Sequence, residues 1–397
     1  MRFQIWPAVS VAVIALMSTV AAADEEVYRA VVADHGKPTV RVIDLADGTA
    51  LATFETVAPA VVAKGTSGRF VYALQRDGDR IDVIDGGAWL EGHGDHTDLR
   101  TAEPAKLAAG LEGGKPVHFV PHDGRIAAFF DDDGAAQVFS EATFHGGGAP
   151  EVETVRTAAA HHGVVVTVGN HVLVSVPHPE DSDALPIGIE VRDAAGVPVG
   201  EPHSCPDLHG EASAGNLVAF ACATGLLLAE PTADGIDVAF VPYPDNLPGG
   251  KITTLRGGSD IQLFLGNFGA DGVTVFDPFE RSFAFARLPV RRVDFLLDPA
   301  NSGQAFILTE DGRLHRFDTL AARLEASAEV TGPYSMHGHW SDPRPRLAKA
   351  GGMVVLTDPD RGDLVLVDAR TLRVDHRLAI GGTPYSIAVV GGTGEAH

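Results

Sequence analysis

The sequence is poor in basic residues, with 30 lysines and arginines against 53 aspartates and glutamates and a formal charge of −23. Nucleic acid and anionic membrane surfaces repel such a chain, so neither is an expected partner. After about Val20 no apolar run is long enough to span a bilayer. The sequence also lacks a Gly-x-Ser-x-Gly motif, a dinucleotide-binding glycine fingerprint and a phosphate loop. Nothing in it argues positively for nucleophilic catalysis.

The first 23 residues differ from the rest of the chain. Arg2 precedes an apolar core from about Val11 to Val20, and three alanines lead into an acidic stretch at Asp24. This order predicts a secretory signal peptide with an A-x-A cleavage site, because the apolar core is too short for a membrane span and no stop-transfer sequence follows. We therefore expect residues 1–23 to be removed and residues 24–397 to form a soluble, monomeric protein in an oxidising extracytoplasmic space.

Cysteine is scarce: Cys205 and Cys222 are the only two, seventeen positions apart. In an exported protein an even pair at this spacing predicts one disulfide that closes a short loop. A thiolate metal site is the alternative, but disulfide formation competes with it in an oxidising compartment.

The 45 glycines and 25 prolines interrupt the chain every few residues, and the short apolar runs between them show no sustained helical period. This pattern predicts an all-β fold. One strand-like pattern, a short apolar run that ends in a polar residue, occurs eight times at intervals of 37 to 55 positions, which matches the blade period of a β-propeller. The eight runs end at Asp44, Asp85, Ser140, Asp193, Glu230, Asp277, Asp318 and Asp368.

A Gly/Pro lead-in and another short strand precede most of these runs. Taking each lead-in as the start of a blade's innermost strand predicts blades that begin near positions 59, 115, 160, 206, 251, 292, 333 and 384. The last has too little chain to be complete, so the N-terminal strands from Val27 to Phe54 should join the C-terminal strand and remove the open sheet edge. We expect a single propeller of eight blades over residues 24–397, or of seven if one unit is an insertion. Longer polar loops are expected at 86–99, 178–186 and 341–350.

Histidines recur in three consecutive lead-ins. His118, His162 and His209 are spaced by 44 and 47 positions, about one blade each. Since inner strands line the axis of a propeller, these side chains should converge at the channel mouth, and converging imidazoles suit Zn²⁺. His161 is an alternative to His162, and Asp123 or Glu211 could orient a ligating ring. Weaker candidate ligands are His122, His337, His339 and Glu211.

A second group is local, in the segment 91–98. His93, Asp95 and His96 belong to a glycine-containing loop that can wrap a divalent cation, and its flexibility would suit metal capture or transfer. A solvated polar loop is the alternative. The run Asp131–Gly134 resembles part of a calcium loop but lacks the other ligands, so we interpret it as a hairpin turn.

Taken together, these motifs resemble the AztD-type periplasmic zinc metallochaperones. The matching segments occur in order along most of the mature chain; they are His93–His96, Lys115–Phe119, His161–Val164, Cys205–Pro206, Leu208–Ala212 and Trp340–Arg346. The resemblance implies a β-propeller that binds zinc and passes it by direct association to the solute-binding protein of a zinc ABC transporter, without catalysing a reaction.

Two other functions fit a secreted propeller. A lactonase-like hydrolase would use a channel ion to polarise a carbonyl, but it predicts an oxygen-rich site rather than imidazoles. A metal-free interaction scaffold would keep the histidines as hydrogen-bonding core residues. Histidine spacing does not by itself select zinc over copper or nickel, because imidazole sites follow the general affinity order of these metals.

Overall fold

The computed structural model describes Met1, residues 24–93 and residues 96–396. The predicted signal peptide, apart from Met1, and Asp95 lie outside the described residues. Within the described ranges no helix is long and apolar enough to cross a membrane. The helices of this part of the chain are a single α-helical turn, Ala142–His145, and a 3₁₀ turn, Arg76–Gly78.

Strands dominate the described chain and are numbered here in chain order. The first nine are β1 (Asp24–Asp34), β2 (Thr39–Asp44), β3 (Ala50–Glu55), β4 (Val61–Lys64), β5 (Phe70–Gln75), β6 (Arg80–Asp85), β7 (Ala88–His93), β8 (His96–Thr101) and β9 (Ala105–Glu112). The next eight are β10 (Pro116–His122), β11 (Arg125–Phe130), β12 (Ala135–Phe139), β13 (Glu153–Arg156), β14 (Val165–Val168), β15 (His171–Val176), β16 (Gly188–Arg192) and β17 (His203–Ser204).

The second half of the chain continues the pattern. It contains β18 (Glu211–Ala214), β19 (Leu217–Ala221), β20 (Gly225–Thr232), β21 (Gly235–Pro242), β22 (Leu255–Arg256), β23 (Phe264–Phe268), β24 (Gly272–Asp277) and β25 (Ser282–Arg287). The last nine are β26 (Arg292–Leu297), β27 (Gln304–Thr309), β28 (Arg313–Asp318), β29 (Arg323–Glu329), β30 (Leu347–Ala350), β31 (Met353–Asp358), β32 (Asp363–Asp368), β33 (Val374–Ala379) and β34 (Pro384–Ala396).

These strands form an eight-bladed β-propeller, as the sequence predicts. From the inner strand outwards, blade 1 is β4-β5-β6-β9, blades 2 to 7 are the consecutive quartets from β10 to β33, and blade 8 is β34-β1-β2-β3. Each of the eight repeated apolar runs is the third strand of a blade or overlaps it, from β2 in blade 8 to β32 in blade 7. The predicted repeat is therefore confirmed in register.

Blade 8 closes the ring. The C-terminal strand β34 pairs antiparallel with β1 over eleven residue pairs, among them Ala30 with Val389. Three N-terminal strands and one C-terminal strand thus make one sheet, as predicted. The closure leaves neither chain terminus as an open sheet edge in the ring.

The core lies between neighbouring blades. Every residue of the second strand β5 is buried, whereas the outer strand β29 alternates between exposed and half-buried positions. Between blades 1 and 2 the rings of Tyr72 and Phe119 pack with centroids 4.5 Å apart. A blade is covered on both faces except at its outer strand, which explains the continuous apolar runs of the inner three strands.

Two predicted boundaries are wrong. The inner strand of blade 7 begins at Leu347 and not near Pro333. Between them Gly338 has a φ of +103°, and Pro343 and Pro345 lack the N–H that strand pairing needs. The predicted loop at 86–99 is largely the hairpin β7–β8, which extends the sheet of blade 8 beside β34.

The two ends of the propeller differ. We term the end at which the inner strands begin, near Pro116 and Glu211, the upper face, and the opposite end the lower face. Third strands run in the same direction as inner strands, because neighbouring strands in a blade are antiparallel. The β7–β8 hairpin follows the third strand β6, so it leaves blade 1 at the lower face.

Candidate metal centre

Three histidines meet at the upper face, one from each of blades 2, 3 and 4. His118 is the third residue of β10, where the register shifts between Pro116 and His118. His162 lies just before β14 and His209 just before β18. Because the three inner strands begin side by side around the axis, residues far apart in sequence come together here.

The imidazoles are in direct contact. The Nε2 atoms of His118 and His162 are 3.2 Å apart, and the centroids of these two rings are separated by 4.8 Å. The ring of His209 lies next to that of His162, with centroids 5.7 Å apart. The structure therefore brings together the three histidines that the sequence favoured as ligands.

Each ring uses its Nδ1 atom to hold a protein acceptor. His118 donates to Glu211 Oε1 at 3.2 Å, and His162 donates to Asp131 Oδ2 at 2.9 Å. His209 donates to the carbonyl of Thr253 at 2.9 Å. Acceptors at Nδ1 place the proton on that nitrogen and leave the Nε2 lone pair of each neutral ring for a metal.

The contact between His118 and His162 is suited to a bound cation. With both Nδ1 atoms protonated, two Nε2 lone pairs face each other at 3.2 Å, which is repulsive unless a proton or a metal ion lies between them. A tetrahedral zinc ion 2.0–2.1 Å from each nitrogen would set the nitrogens about 3.3–3.4 Å apart. The pair already has nearly this spacing, so the residues fit zinc.

The third ligand is close but is not yet in place. In the described ranges no three His, Cys, Asp or Glu side chains already surround a point that could hold a metal ion. His209 would have to turn toward the His118–His162 pair to complete a three-histidine site. Three protein ligands leave the fourth tetrahedral position open to water or to another ligand.

Buried charges shift the pKa values at this centre. Burial favours a lower pKa for His118, but the charge and hydrogen bond of Glu211, with the charge of Asp131, outweigh it and raise that pKa. Burial alone would raise the pKa of Glu211. The charge and hydrogen bond of His118, with the charges of His209 and His162, outweigh burial, so the pKa of Glu211 is lowered. The pKa of His209 is lowered, first by burial and then by the charges of the other two rings.

Comparison with known proteins shows the family to which the chain belongs. The zinc chaperone AztD of Citrobacter koseri is 40% identical to the chain over 378 residues, which cover 94% of this chain and 90% of that protein. The chain belongs to the AztD family of zinc chaperones. No protein-family model matches it.

Solved structures support the AztD assignment and the fold. The crystal structure of Citrobacter koseri AztD aligns with a TM-score of 0.90 and 39% identity over 94% of this chain and all of that chain. Its apo form aligns with a TM-score of 0.87 and 38% identity over 93% of this chain and 98% of that one. The dihydro-heme d1 dehydrogenase NirN, at 15% identity, a TM-score of 0.61 and coverage of 91% and 75%, shows likeness of fold alone.

In this AztD-family chain the histidines lie in an open cavity of about 670 Å³. One of the three predicted polar loops, 178–186, contributes Asp183 and Leu185 to its wall, and Trp340, just before the predicted loop at 341–350, contributes as well. Arg76 and Lys115 are the cationic residues of the lining. The cavity is far larger than a metal ion, so it has room for a further ligand or for part of another molecule.

His161 and His122 have other partners. His161 is buried, donates from Nδ1 to the carbonyl of Ala159 and accepts at Nε2 from Ser175, both at 2.9 Å. His122, at the lower end of β10, bonds to the carbonyl of Thr167 at 2.6 Å and lies 3.4 Å from that of Gly215. Neither ring shares the cluster of the other three, so His162 is the residue of the 161/162 pair that faces it.

The remaining predicted ligands lie elsewhere. His337 and His339 are exposed, in the irregular segment before β30, and His339 Nδ1 bonds to Ser341 Oγ at 2.7 Å. His96 Nε2 lies 3.2 Å from Asp98 at the lower face. His93 ends β7, and Asp95 lies outside the described residues.

Sequence reasoning missed Asp131 as a partner of the metal centre. The sequence pattern predicts a turn there, and the turn at 131–134 is present between β11 and β12. Asp131 is nonetheless 4% exposed and accepts from His162, while its second oxygen, Oδ1, is buried without a partner. Its position at the upper end of a second strand was the available signal. The other proposed orienting residue, Asp123, accepts from the amide of Gly169 instead.

The disulfide is present, as predicted. Cys205 and Cys222 are bonded and fully buried. Cys222 directly follows β19, and the amide of His209 donates to the carbonyl of Ala221 on this strand at 3.0 Å. The disulfide thus ties the segment that leads to His209 to the second strand of blade 4, away from the imidazole itself.

Proposed function

We propose that this protein is a periplasmic zinc chaperone that stores zinc at His118, His162 and His209 and delivers it to the solute-binding protein of a zinc ABC transporter. The observation that carries the proposal is the pair of Nε2 atoms 3.2 Å apart on rings whose Nδ1 atoms are held by acceptors. The AztD relationship adds the chaperone role. No reaction is catalysed, because the cargo enters and leaves unchanged.

The centre suits a cargo that must be released. Zinc held by three imidazoles keeps an open position through which an incoming ligand can bind before a histidine leaves. The carboxylates of Asp131 and Glu211 offset the charge of the ion without coordinating it, as partners of ligating histidines do. Imidazole ligands rather than an oxygen-rich set also favour this function over a calcium-type propeller hydrolase.

Export accounts for the compartment. The N-terminal signal pattern and the disulfide both belong to an oxidising space outside the cytoplasm. We propose cleavage after residue 23 and a mature propeller over residues 24–397. The segment with His93, Asp95 and His96 remains a proposed weaker site, which would act independently because its hairpin leaves the propeller at the lower face.

The test combines loading and transfer. Metal-free protein is titrated with zinc against a chromogenic chelator, and the zinc-loaded protein is then mixed with the apo solute-binding protein and separated from it. We expect tight binding of zinc and its movement to the solute-binding protein. Elemental analysis of protein purified from the periplasm without chelators gives a second test. Absence of zinc from that protein would favour the metal-free scaffold instead.

Replacing Asp131 by Asn tests the carboxylate behind His162. The variant keeps the shape and an acceptor oxygen but loses the charge, so the zinc affinity should fall by about 10- to 100-fold. Asp132→Asn is the matched control. Asp132 is the next residue and is exposed, and it pairs with Lys115 at 3.7 Å rather than with a histidine of the cluster. Equal affinities of the two variants in a competition titration would contradict the role of Asp131.

The pH dependence of zinc binding should follow His118. Its pKa is raised, and only the neutral ring binds zinc, so the affinity falls as the pH drops through this pKa. In Glu211→Gln the largest influence that raises the pKa of His118 is lost, while burial still lowers this pKa and the charge of Asp131 raises it less, so the fall should begin at lower pH. Titrations between about pH 5 and pH 8 check this, with the exposed outer-strand variant Glu153→Gln as control. Identical profiles for both variants would contradict it.

A further inference from the structure

Trp340 stands at the mouth of the cavity that holds the three histidines. It contributes to the cavity lining, yet its side chain is 65% exposed. An exposed indole contributes little to the stability of a fold, since most of its apolar surface stays in water. Its position beside the three histidines leaves the indole accessible to another molecule at the cavity mouth.

The segment that carries Trp340 lies across the upper face. This segment, Ser335–Asp342, which we term the mouth strap, leads into blade 7. His35, in the turn between β1 and β2 of blade 8, donates from Nε2 to the carbonyl of Ser341 at 2.7 Å. Arg76 of blade 1 lies with its guanidinium carbon 5.3 Å from the Trp340 ring centroid. The strap thus contacts blade 8 through His35 and reaches Arg76 of blade 1.

A buried arginine holds the mouth strap in shape. Arg344 is 3% exposed and donates to the carbonyls of Ser335 at 2.8 Å, His339 at 2.9 Å and His337 at 3.0 Å. The amide of His339 also donates to Asp342 Oδ2 at 2.9 Å. Although the strap has no regular secondary structure, Trp340 is held in place before any partner arrives, which lowers the entropic cost of binding.

The side chain that contacts the Trp340 ring is the cation Arg76, which pairs with no carboxylate in the described part of the chain. The guanidinium of Arg76 faces the indole of Trp340, and within the described ranges no Asp or Glu forms an ion pair with it. Tryptophan and arginine are also the residues most enriched among those that dominate binding energy in protein interfaces. A stacked Trp–Arg pair therefore suits a protein surface that brings a carboxylate to Arg76.

We propose that Trp340 and Arg76 form the docking contact for the zinc-accepting protein. The fitting partner presents a segment with one carboxylate that pairs with Arg76 and a metal-ligating side chain that enters the cavity to take the open position on zinc. The cavity of about 670 Å³ beyond the histidines gives this segment room. The proposal rests on the proposed function and adds the surface through which transfer occurs.

The test separates docking from metal binding. Trp340→Ala and Arg76→Ala are loaded with zinc and mixed either with the apo solute-binding protein or with a small chromogenic chelator. Leu320→Ala is the control, because Leu320 is 83% exposed in the turn between β28 and β29 at the lower face. We expect unchanged zinc affinity, unchanged transfer to the chelator and transfer to the protein slowed at least about tenfold for the two rim variants only.

Two results would overturn the docking contact. One is transfer from Trp340→Ala to the protein acceptor at the wild-type rate. The other is an equal slowing toward the small chelator, which would mean that the rim controls access to zinc and not protein docking. If the wild-type protein itself fails to transfer zinc to the solute-binding protein, the proposed function falls and the docking contact with it.

Discussion

Zinc binding at the upper face should be lost when His118, His162 and His209 are replaced together by Ala. The three residues would supply the protein nitrogens of the site, and removing a partner behind a ligand already costs about 10- to 100-fold in affinity, so we expect a loss of more than 100-fold. A competition titration with a chromogenic chelator measures the affinity and the stoichiometry. The triple variant should bind one zinc ion fewer than the wild type.

The control has the same number of changes. His171, His203 and His376 are replaced together by Ala; these lie on strands β15, β17 and β33, away from the cluster. This variant should keep the wild-type affinity and stoichiometry. Unchanged zinc stoichiometry in the His118, His162 and His209 variant would contradict the assigned centre. Single substitutions then rank the ligands, and His161→Ala should retain zinc because its ring is engaged by Ala159 and Ser175.

Removing the disulfide should give the largest effect on stability. Replacing Cys205 and Cys222 by Ala opens a loop of seventeen residues and should lower the free energy of unfolding by about 3 kcal/mol, chiefly because the unfolded chain gains freedom. Both positions are fully buried, and alanine introduces no unpaired polar group there. Denaturant unfolding followed by circular dichroism measures the difference.

A second readout connects the disulfide to the metal centre. The covalent link holds the segment before His209, so the double variant should also bind zinc more weakly, though far less so than a ligand deletion. The wild type treated with reductant should approach the variant, and the variant should not respond to reductant. A free energy of unfolding equal to that of the oxidised wild type would refute the stabilising role.

Much of the fold was predictable because a propeller repeats one unit. The third strand of each blade is apolar and ends at a polar turn, so the runs that end at Asp85, Asp277 and Asp368 have the same pattern. Ring closure then required the N-terminal strands to complete the last blade. The inner strand of blade 7 was misplaced, because the lead-ins at Pro333 and Pro384 look alike although only the second begins a strand.

The candidate site was predictable in part. Blade spacing alone brought His118, His162 and His209 together, since equivalent positions in adjacent blades are neighbours around the axis. The same spacing did not separate His161 from His162, because neighbouring residues before a strand point in different directions according to local backbone geometry. Asp131 escaped notice, because its contact with His162 joins the second strand of one blade to the lead-in of the next.

The residues alone thus specify a disulfide-bonded propeller with histidines at its channel mouth, because strand periodicity, repeat length and cysteine count are properties of the linear chain. Side-chain direction and contacts between blades are not properties of the linear chain and depend on how the blades pack. Only the packed structure chose His162 over His161, placed Asp131 and Glu211 behind the rings, and set the β7–β8 hairpin at the opposite end of the molecule. It also brought Trp340 across blade 8 to Arg76, a contact between residues 264 positions apart in the chain.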